Sequence, residues 1–310
     1  MELVLGRIIR SAAFEIAVSP DESRLAVSGE RKITVFSLSG FEKEYTIPVR
    51  HASSMIFLED NCSMLILNTT GDCYLWSGTT LERIGRWATA QCARTPLFYA
   101  GQNTVFWADC GTVWKYNIIE RQMTKIFSMN SEPFICRIGD GIIRLVSLKY
   151  NKSRQYMEIY RLDYNGLILH HCTTKNRLQT NIFGAPCWNE DGLIAVSTVA
   201  TIGGIHGFLY LINSENGDVL VQKESSLILE GGDCFGGNGL IAQVLPVLDK
   251  SVTIYAADNL KLLYRLDKEV LDEKNDINPP TKVCFLKNGK ILIGSWEKLF
   301  VYDVAAPEVS

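Results

Sequence analysis

The chain has 310 residues, 47 % hydrophobic and 21 % charged, and its 31 basic and 34 acidic side chains leave a net charge of −3. Those values exclude disorder, collagen and coiled coil, and the acidic balance argues against a basic nucleic-acid footprint over the whole surface. At about 150 residues per average domain the length fits two domains, yet a single all-β domain also reaches it.

In chain order, Glu2 to Arg10 reads as a lone strand ahead of any complete unit. Phe14 to Ser28 reads as strand, turn, strand, with Ser19-Pro20-Asp21 forming the turn. A strand ending built as apolar-x-apolar-aromatic then recurs. It appears as Thr34-Val35-Phe36-Ser37, Tyr74-Leu75-Trp76-Ser77, Trp114-Lys115-Tyr116-Asn117 and Glu158-Ile159-Tyr160-Arg161. Three further copies follow, Tyr210-Leu211-Ile212-Asn213, Thr253-Ile254-Tyr255-Ala256 and Phe300-Val301-Tyr302-Asp303. The mean step, about 44 residues, is the period expected of four-stranded propeller blades, and seven such units fill the chain.

A second marker precedes the first. Cys187-Trp188-Asn189-Glu190-Asp191-Gly192-Leu193-Ile194 corresponds to Cys234-Phe235-Gly236-Gly237-Asn238-Gly239-Leu240-Ile241, and Cys284-Phe285-Leu286-Lys287-Asn288-Gly289-Lys290-Ile291 follows. Asp-Gly or Asn-Gly supplies the positive φ of a tight hairpin between two apolar strands. Cys187, Cys234 and Cys284 therefore read as small buried residues. The nine cysteines show no metal-ligand spacing, and adjacent His170 and His171 in a strand point to opposite faces.

Val18-Ser19-Pro20-Asp21 with Arg24-Leu25-Ala26-Val27-Ser28, and later Val301-Tyr302-Asp303-Val304, resemble the hairpin and strand-ending motifs of WD-repeat propellers. None of the six Trp is followed by Asp and no Gly-His opens a repeat, so the resemblance is to a divergent member, and the hydrogen-bonded tetrad of that family is not carried over. The expected fold is all-β: one seven-bladed β-propeller domain over 1–310, of four-stranded antiparallel blades near 14–48, 53–88, 93–128, 134–174, 181–225, 233–267 and 281–304. The last blade would lack its outer strand, which the segment 2–10 supplies, as in propellers the sequence resembles.

Chemistry on such a fold sits in the loops between second and third strands and between blades. The former include Thr70 to Asp72, Asp109 to Gly111, Lys149 to Gln155, Ala200 to Gly207 and Trp296 to Lys298; the latter include Pro48 to His51, Thr174 to Asn181 and Asp267 to Pro280. Lys149, Lys152, Arg154, Lys175 and Arg177 give one side a basic character, against the acidic run Asp267 to Asp276, and such fields orient a charged partner. Gly231 to Gly239 falls in a strand and hairpin of the repeat, so it is no phosphate loop.

Two readings of function follow. The WD-repeat resemblance implies a non-catalytic scaffold that binds another protein or peptide, with contacts expected at His51, Lys152, Arg154, Arg177, His206 and Trp296. The alternative is a metal-dependent hydrolase of the lactonase-propeller kind, with Asp72, Asp109 and Glu297 as oxygen ligands. The first reading needs no cofactor and no catalytic residue, and five basic residues without a stacking platform make nucleic acid a poor partner. A quinone-dependent dehydrogenase is disfavoured because those propellers are exported. No run approaches the ~18 apolar residues of a membrane span, and Met1 to Arg7 lacks a basic n-region and a long apolar stretch, so the expected compartment is the cytoplasm, away from membranes.

Overall fold

The computed structural model describes residues 2–88, 96–151, 154–178, 182–189, 191–200, 206–225, 233–245, 250–267 and 279–305. It is an all-β, seven-bladed β-propeller, and every element among the described residues is a strand. Strand β1 (Glu2–Ile9) stands alone at the start. The first blade is β2 (Ile16–Val18), β3 (Arg24–Ser28), β4 (Ile33–Ser37) and β5 (Lys43–Ile47), and the second is β6 (Ala52–Phe57), β7 (Met64–Asn68), β8 (Asp72–Trp76) and β9 (Leu81–Arg86). The third comprises β10 (Phe98–Tyr99), β11 (Thr104–Asp109), β12 (Thr112–Asn117) and β13 (Gln122–Ser128); the fourth comprises β14 (Pro133–Gly139), β15 (Ile142–Asn151), β16 (Arg154–Asp163) and β17 (Ile168–Thr173). In the fifth, β18 (Ile182–Phe183) and β19 (Cys187–Trp188) both pair with β20 (Leu193–Ala200), which is followed by β21 (His206–Asn213) and β22 (Val219–Ser225). The sixth is β23 (Asp233–Gly237), β24 (Leu240–Leu245), β25 (Ser251–Ala256) and β26 (Leu262–Leu266). The seventh joins β27 (Pro280–Phe285), β28 (Ile291–Ser295) and β29 (Leu299–Ala305) to β1, in the order β1-β29-β28-β27.

The blade-closing role expected of the N-terminal segment is thus observed. Its apolar residues explain it: Leu3 is buried in one cluster with Val283, Ile291, Ile293 and Phe300, and Ile8 packs against that cluster. All seven markers fall in the third strand of their blades, six with an aromatic residue at the third position and the fifth with Ile212. The hairpins follow their turn chemistry: Asn238 and Gly239 have φ of 54° and 71°, and Gly192 and Gly289 have φ of 78° and 87°. At the first hairpin Ser19 Oγ donates to Asp21 Oδ1 at 2.7 Å and accepts the Arg24 amide at 2.9 Å.

Burial runs from inside to outside along each blade. In β7, Met64, Leu65, Ile66 and Leu67 are all fully buried, because both faces of a second strand are covered and the apolar run need not alternate. In β13, by contrast, Gln122 to Lys125 are all exposed. The divided inner strand of the fifth blade also has a local cause: Gly184-Ala185-Pro186 interrupts it, and proline has no amide proton to give to a ladder.

By packing, the chain divides into two compact units. One comprises Met1–Ile8, Val146–Tyr160 and His170–Ser310, and the other comprises Ile9–Leu145 and Arg161–Leu169. In the first, Gln243 is fully buried on β24; its Nε2 donates to Ser197 Oγ at 2.7 Å and its Oε1 accepts from Tyr255 at 3.3 Å. In the second, Trp87 and Trp107 stack with ring centroids 4.5 Å apart, and Trp107 Nε1 donates to the Trp87 carbonyl at 3.0 Å.

Candidate partner-binding surface

The loops nominated by the sequence are shorter than expected in two places. Strand β15 continues to Asn151 and β16 begins at Arg154, so the expected loop from Lys149 to Gln155 shrinks to residues 152–153; likewise β20 runs to Ala200 and β21 starts at His206. Polar side chains do not stop a strand whose backbone groups still find partners across a hairpin. Lys152 lies outside the described residues, as do 179–181, 201–205 and most of the acidic run. The backbones of Arg154 and His206 are placed, and His206 is paired opposite Ala200.

Trp296 is the most conspicuous of the nominated residues. It is 54 % exposed on the loop joining β28 to β29. That loop is held closed by the Ser295 amide and Oγ, which donate to the Lys298 carbonyl at 2.9 and 2.8 Å, and by the Lys298 amide, which donates to Ser295 Oγ at 3.0 Å. The indole is therefore displayed from a fixed turn. Arg177, in the same compact unit, is exposed on the stretch after β17, where the Leu178 amide donates to the Gln155 carbonyl at 3.0 Å. Its guanidinium forms no ion pair among the described residues.

His51 belongs to the other unit. It is exposed with a left-handed φ of 50°, and its backbone ties two loops together: its amide donates to the Glu30 carbonyl at 3.0 Å and its carbonyl accepts from the Thr69 amide at 2.9 Å.

The basic side expected from charge counting is partly neutralised. Lys149 Nζ donates to Glu158 Oε1 at 2.8 Å, and Lys175 pairs with Asp218 at 2.8 Å. The Glu158 pairing belongs to a group that sequence reading missed. Glu158 is buried, His171 Nε2 lies 3.8 Å from the same oxygen, and the His171 ring stacks on Tyr160 with centroids 4.3 Å apart. Burial, then the Glu158 charge, pushes the Tyr160 hydroxyl up to about 12. The available signal was the Glu-x-Tyr spacing on β16, which puts both side chains on one face. A second missed group is Arg144 on β15, whose acidity is raised first by burial and then by the charges of Arg137 and Arg161.

The three oxygen ligands of the hydrolase reading have separate environments. Asp72 accepts from Arg83 Nη2 at 2.6 Å and from Arg83 Nε at 3.1 Å, and this hydrogen bonding lowers its carboxyl below the ordinary value. Asp109 ends β11 with a buried Oδ1 that has no hydrogen-bond partner, and Glu297 is exposed. Among the described residues no three His, Cys, Asp or Glu side chains are grouped to hold a metal ion.

Cys187 and Cys234 are buried, as their places in the repeat imply, and burial pushes the Cys187 thiol up to about 12; Cys284 is half-buried. No known protein family matches the chain, and no curated protein matches it in sequence.

Proposed function

We propose that this protein is a non-catalytic scaffold, a divergent WD-repeat-like propeller, that binds a cytoplasmic protein or peptide. The observation that carries the reading is Trp296, more than half exposed yet held on a hydrogen-bonded two-residue turn. Aromatic and Arg side chains presented from ordered loops supply contact area at low entropic cost, and they dominate the energetics of protein interfaces. Arg177, exposed on the same unit, adds a cation open to an acidic partner. Lys152, Arg154, His206 and His51 belong to the proposed contact set on the strength of the sequence.

The test is affinity purification of the tagged full chain from its native lysate, in parallel with Trp296→Ala and Arg177→Glu. The expected result is a stoichiometric protein partner that is lost from both variants while their thermal unfolding is unchanged. A partner retained by both variants, or no stoichiometric partner at all, overturns the proposal.

A further inference from the structure

The outer half of the third blade carries a concavity of about 380 Å³ whose floor lies on regular strands. Two cross-strand rows form it. Thr104 on β11 pairs with Asn117 on β12, which pairs with Gln122 on β13; in the next row on the same face Phe106 pairs with Lys115, which pairs with Thr124. The inner end is apolar and covered, since Phe106 is fully buried with the Tyr164 ring 4.9 Å from its own. The turn that bears Tyr164 also supplies Asn165 as a wall, and Gly166, at φ +89°, seats that turn directly against the Ile126 carbonyl of β13.

The hydrogen-bonding capacity of this tray is mixed and largely unspent. Asn117 Oδ1 accepts the amides of Ile119 and Glu120, each at 3.0 Å, which leaves its NH₂ group to donate. Thr104 Oγ1 donates to the Gln102 carbonyl at 3.3 Å, which leaves its lone pairs to accept. The side chains of Lys115, Gln122 and Thr124 make no hydrogen bond or ion pair among the described residues. Glu120 and Lys125, also at the lining, add a pure acceptor and a second cationic donor.

We infer that this tray binds a small polyhydroxylated ligand of the sugar class. A hydroxyl both donates and accepts, so neighbouring hydroxyls on a ring satisfy an amide, an ammonium and a carboxylate together. A phosphate or simple carboxylate could use the Lys115 and Lys125 ammonium groups but gives the Glu120 carboxylate no donor, and an apolar ligand strands the donors without partners. The volume falls at the small end of the roughly 300–1,000 Å³ range of ligand sites, which suits one or two rings, and a floor of paired strands holds its donors in fixed places.

Saturation-transfer NMR on the full chain tests it, with a panel of neutral mono- and disaccharides and, separately, inorganic phosphate and acetate. The expected result is saturable transfer to ring protons of at least one sugar, with a Kd of about 1 mM. Binding should weaken at least ~10-fold in Lys115→Ala and in Gln122→Ala, and persist in Lys287→Ala, a change in another blade. Lys115 and Gln122 lie on the outer half of the blade, so their removal leaves the fold intact, which the unfolding temperature verifies. Transfer to no sugar, transfer unaffected by Lys115→Ala and Gln122→Ala, or binding of phosphate with every sugar silent each overturns the inference.

Discussion

Four glycines with positive φ sit where a Cβ would strike backbone, Gly111 least closely at 2.7 Å from the Met129 carbonyl oxygen and three others more closely, while three with the same backbone conformation face open space. A Cβ on Gly71 (φ +87°) would lie 1.9 Å from the Ala88 carbonyl oxygen, on Gly166 (φ +89°) 2.0 Å from that of Ile126, and on Gly217 (φ +73°) 2.3 Å from that of Thr173. Gly166 and Gly217 hold equivalent places, in the turns between the third and outer strands of the fourth and fifth blades, each against the outer strand of the blade before. Gly141 (φ +73°), Gly239 (φ +71°) and Gly289 (φ +87°) have nothing within 4 Å of that position. Alanine at the second set costs only the left-handed conformation, about 1–2 kcal/mol. Alanine at the first set adds a backbone displacement of the order of an ångström in a close-packed region, a further ~2–3 kcal/mol. Urea unfolding followed by circular dichroism measures the difference. The midpoints of Gly71→Ala, Gly166→Ala and Gly217→Ala should fall at least about twice as far as those of Gly141→Ala, Gly239→Ala and Gly289→Ala. Equal shifts in the two sets would refute the argument that these turns dock directly on backbone.

Removing residues 2–9 takes Leu3 and Ile8 from the cluster around Phe300 and uncovers β29; at about 1.5–3 kcal/mol for each buried side chain the loss is ~3–5 kcal/mol, seen as a lowered Tm and aggregation through the freed strand, and an unchanged Tm would contradict it. At alkaline pH, burial and then the Tyr264 charge push the Tyr302 hydroxyl up to about 12, and Tyr160 also reaches about 12. An unfolded tyrosine ionises near 10, so stability is intact below pH 10 and declines as pH rises from 10 to 12, where only the unfolded chain gives up these protons. Urea midpoints measured through that range should fall, less steeply in Tyr302→Phe, and parallel curves for the two proteins would count against the assignment. Gln243→Ala removes a fully buried side chain and its two hydrogen bonds, to Ser197 and from Tyr255, and should cost about 2–3 kcal/mol by the same unfolding assay; a neutral substitution would mean that these bonds add nothing.

The blades were legible because two independent signals recur, a third-strand marker in all seven units, aromatic in six, and a strand-turn-strand hairpin in four, and because Leu3 and Ile8 give the opening segment an apolar side to bury. Strand limits were less legible. The Lys149 to Gln155 stretch has a loop's composition, yet its backbone pairs almost to the tip, and composition records side-chain polarity rather than backbone hydrogen bonding. The charged surface was harder still. A run of cations in sequence reads as a positive field, but whether Lys149 stays free depends on whether Glu158, nine residues on, returns beside it across a hairpin. Register decides that, and a side chain's neighbours change face with every one-residue slip. Asp72 is the same case from the opposite sign, since Arg83 on β9 returns beside a carboxylate that its loop position marked as a candidate oxygen ligand.

The tryptophans separate packing from display. Trp87, Trp107 and Trp188 are buried at 5 %, 0 % and 4 % exposure, and Trp76 and Trp114 are half-buried. These five sit where covering a large ring stabilises a blade. Trp296 stands at 54 % on a turn that Ser295 and Lys298 close with hydrogen bonds. A ring that leaves half its surface in water gains from a second surface that covers it. For that reason the binding loss expected of Trp296→Ala and its expected lack of effect on unfolding form one prediction: a variant that loses its partner only by losing its fold would place Trp296 with the other five.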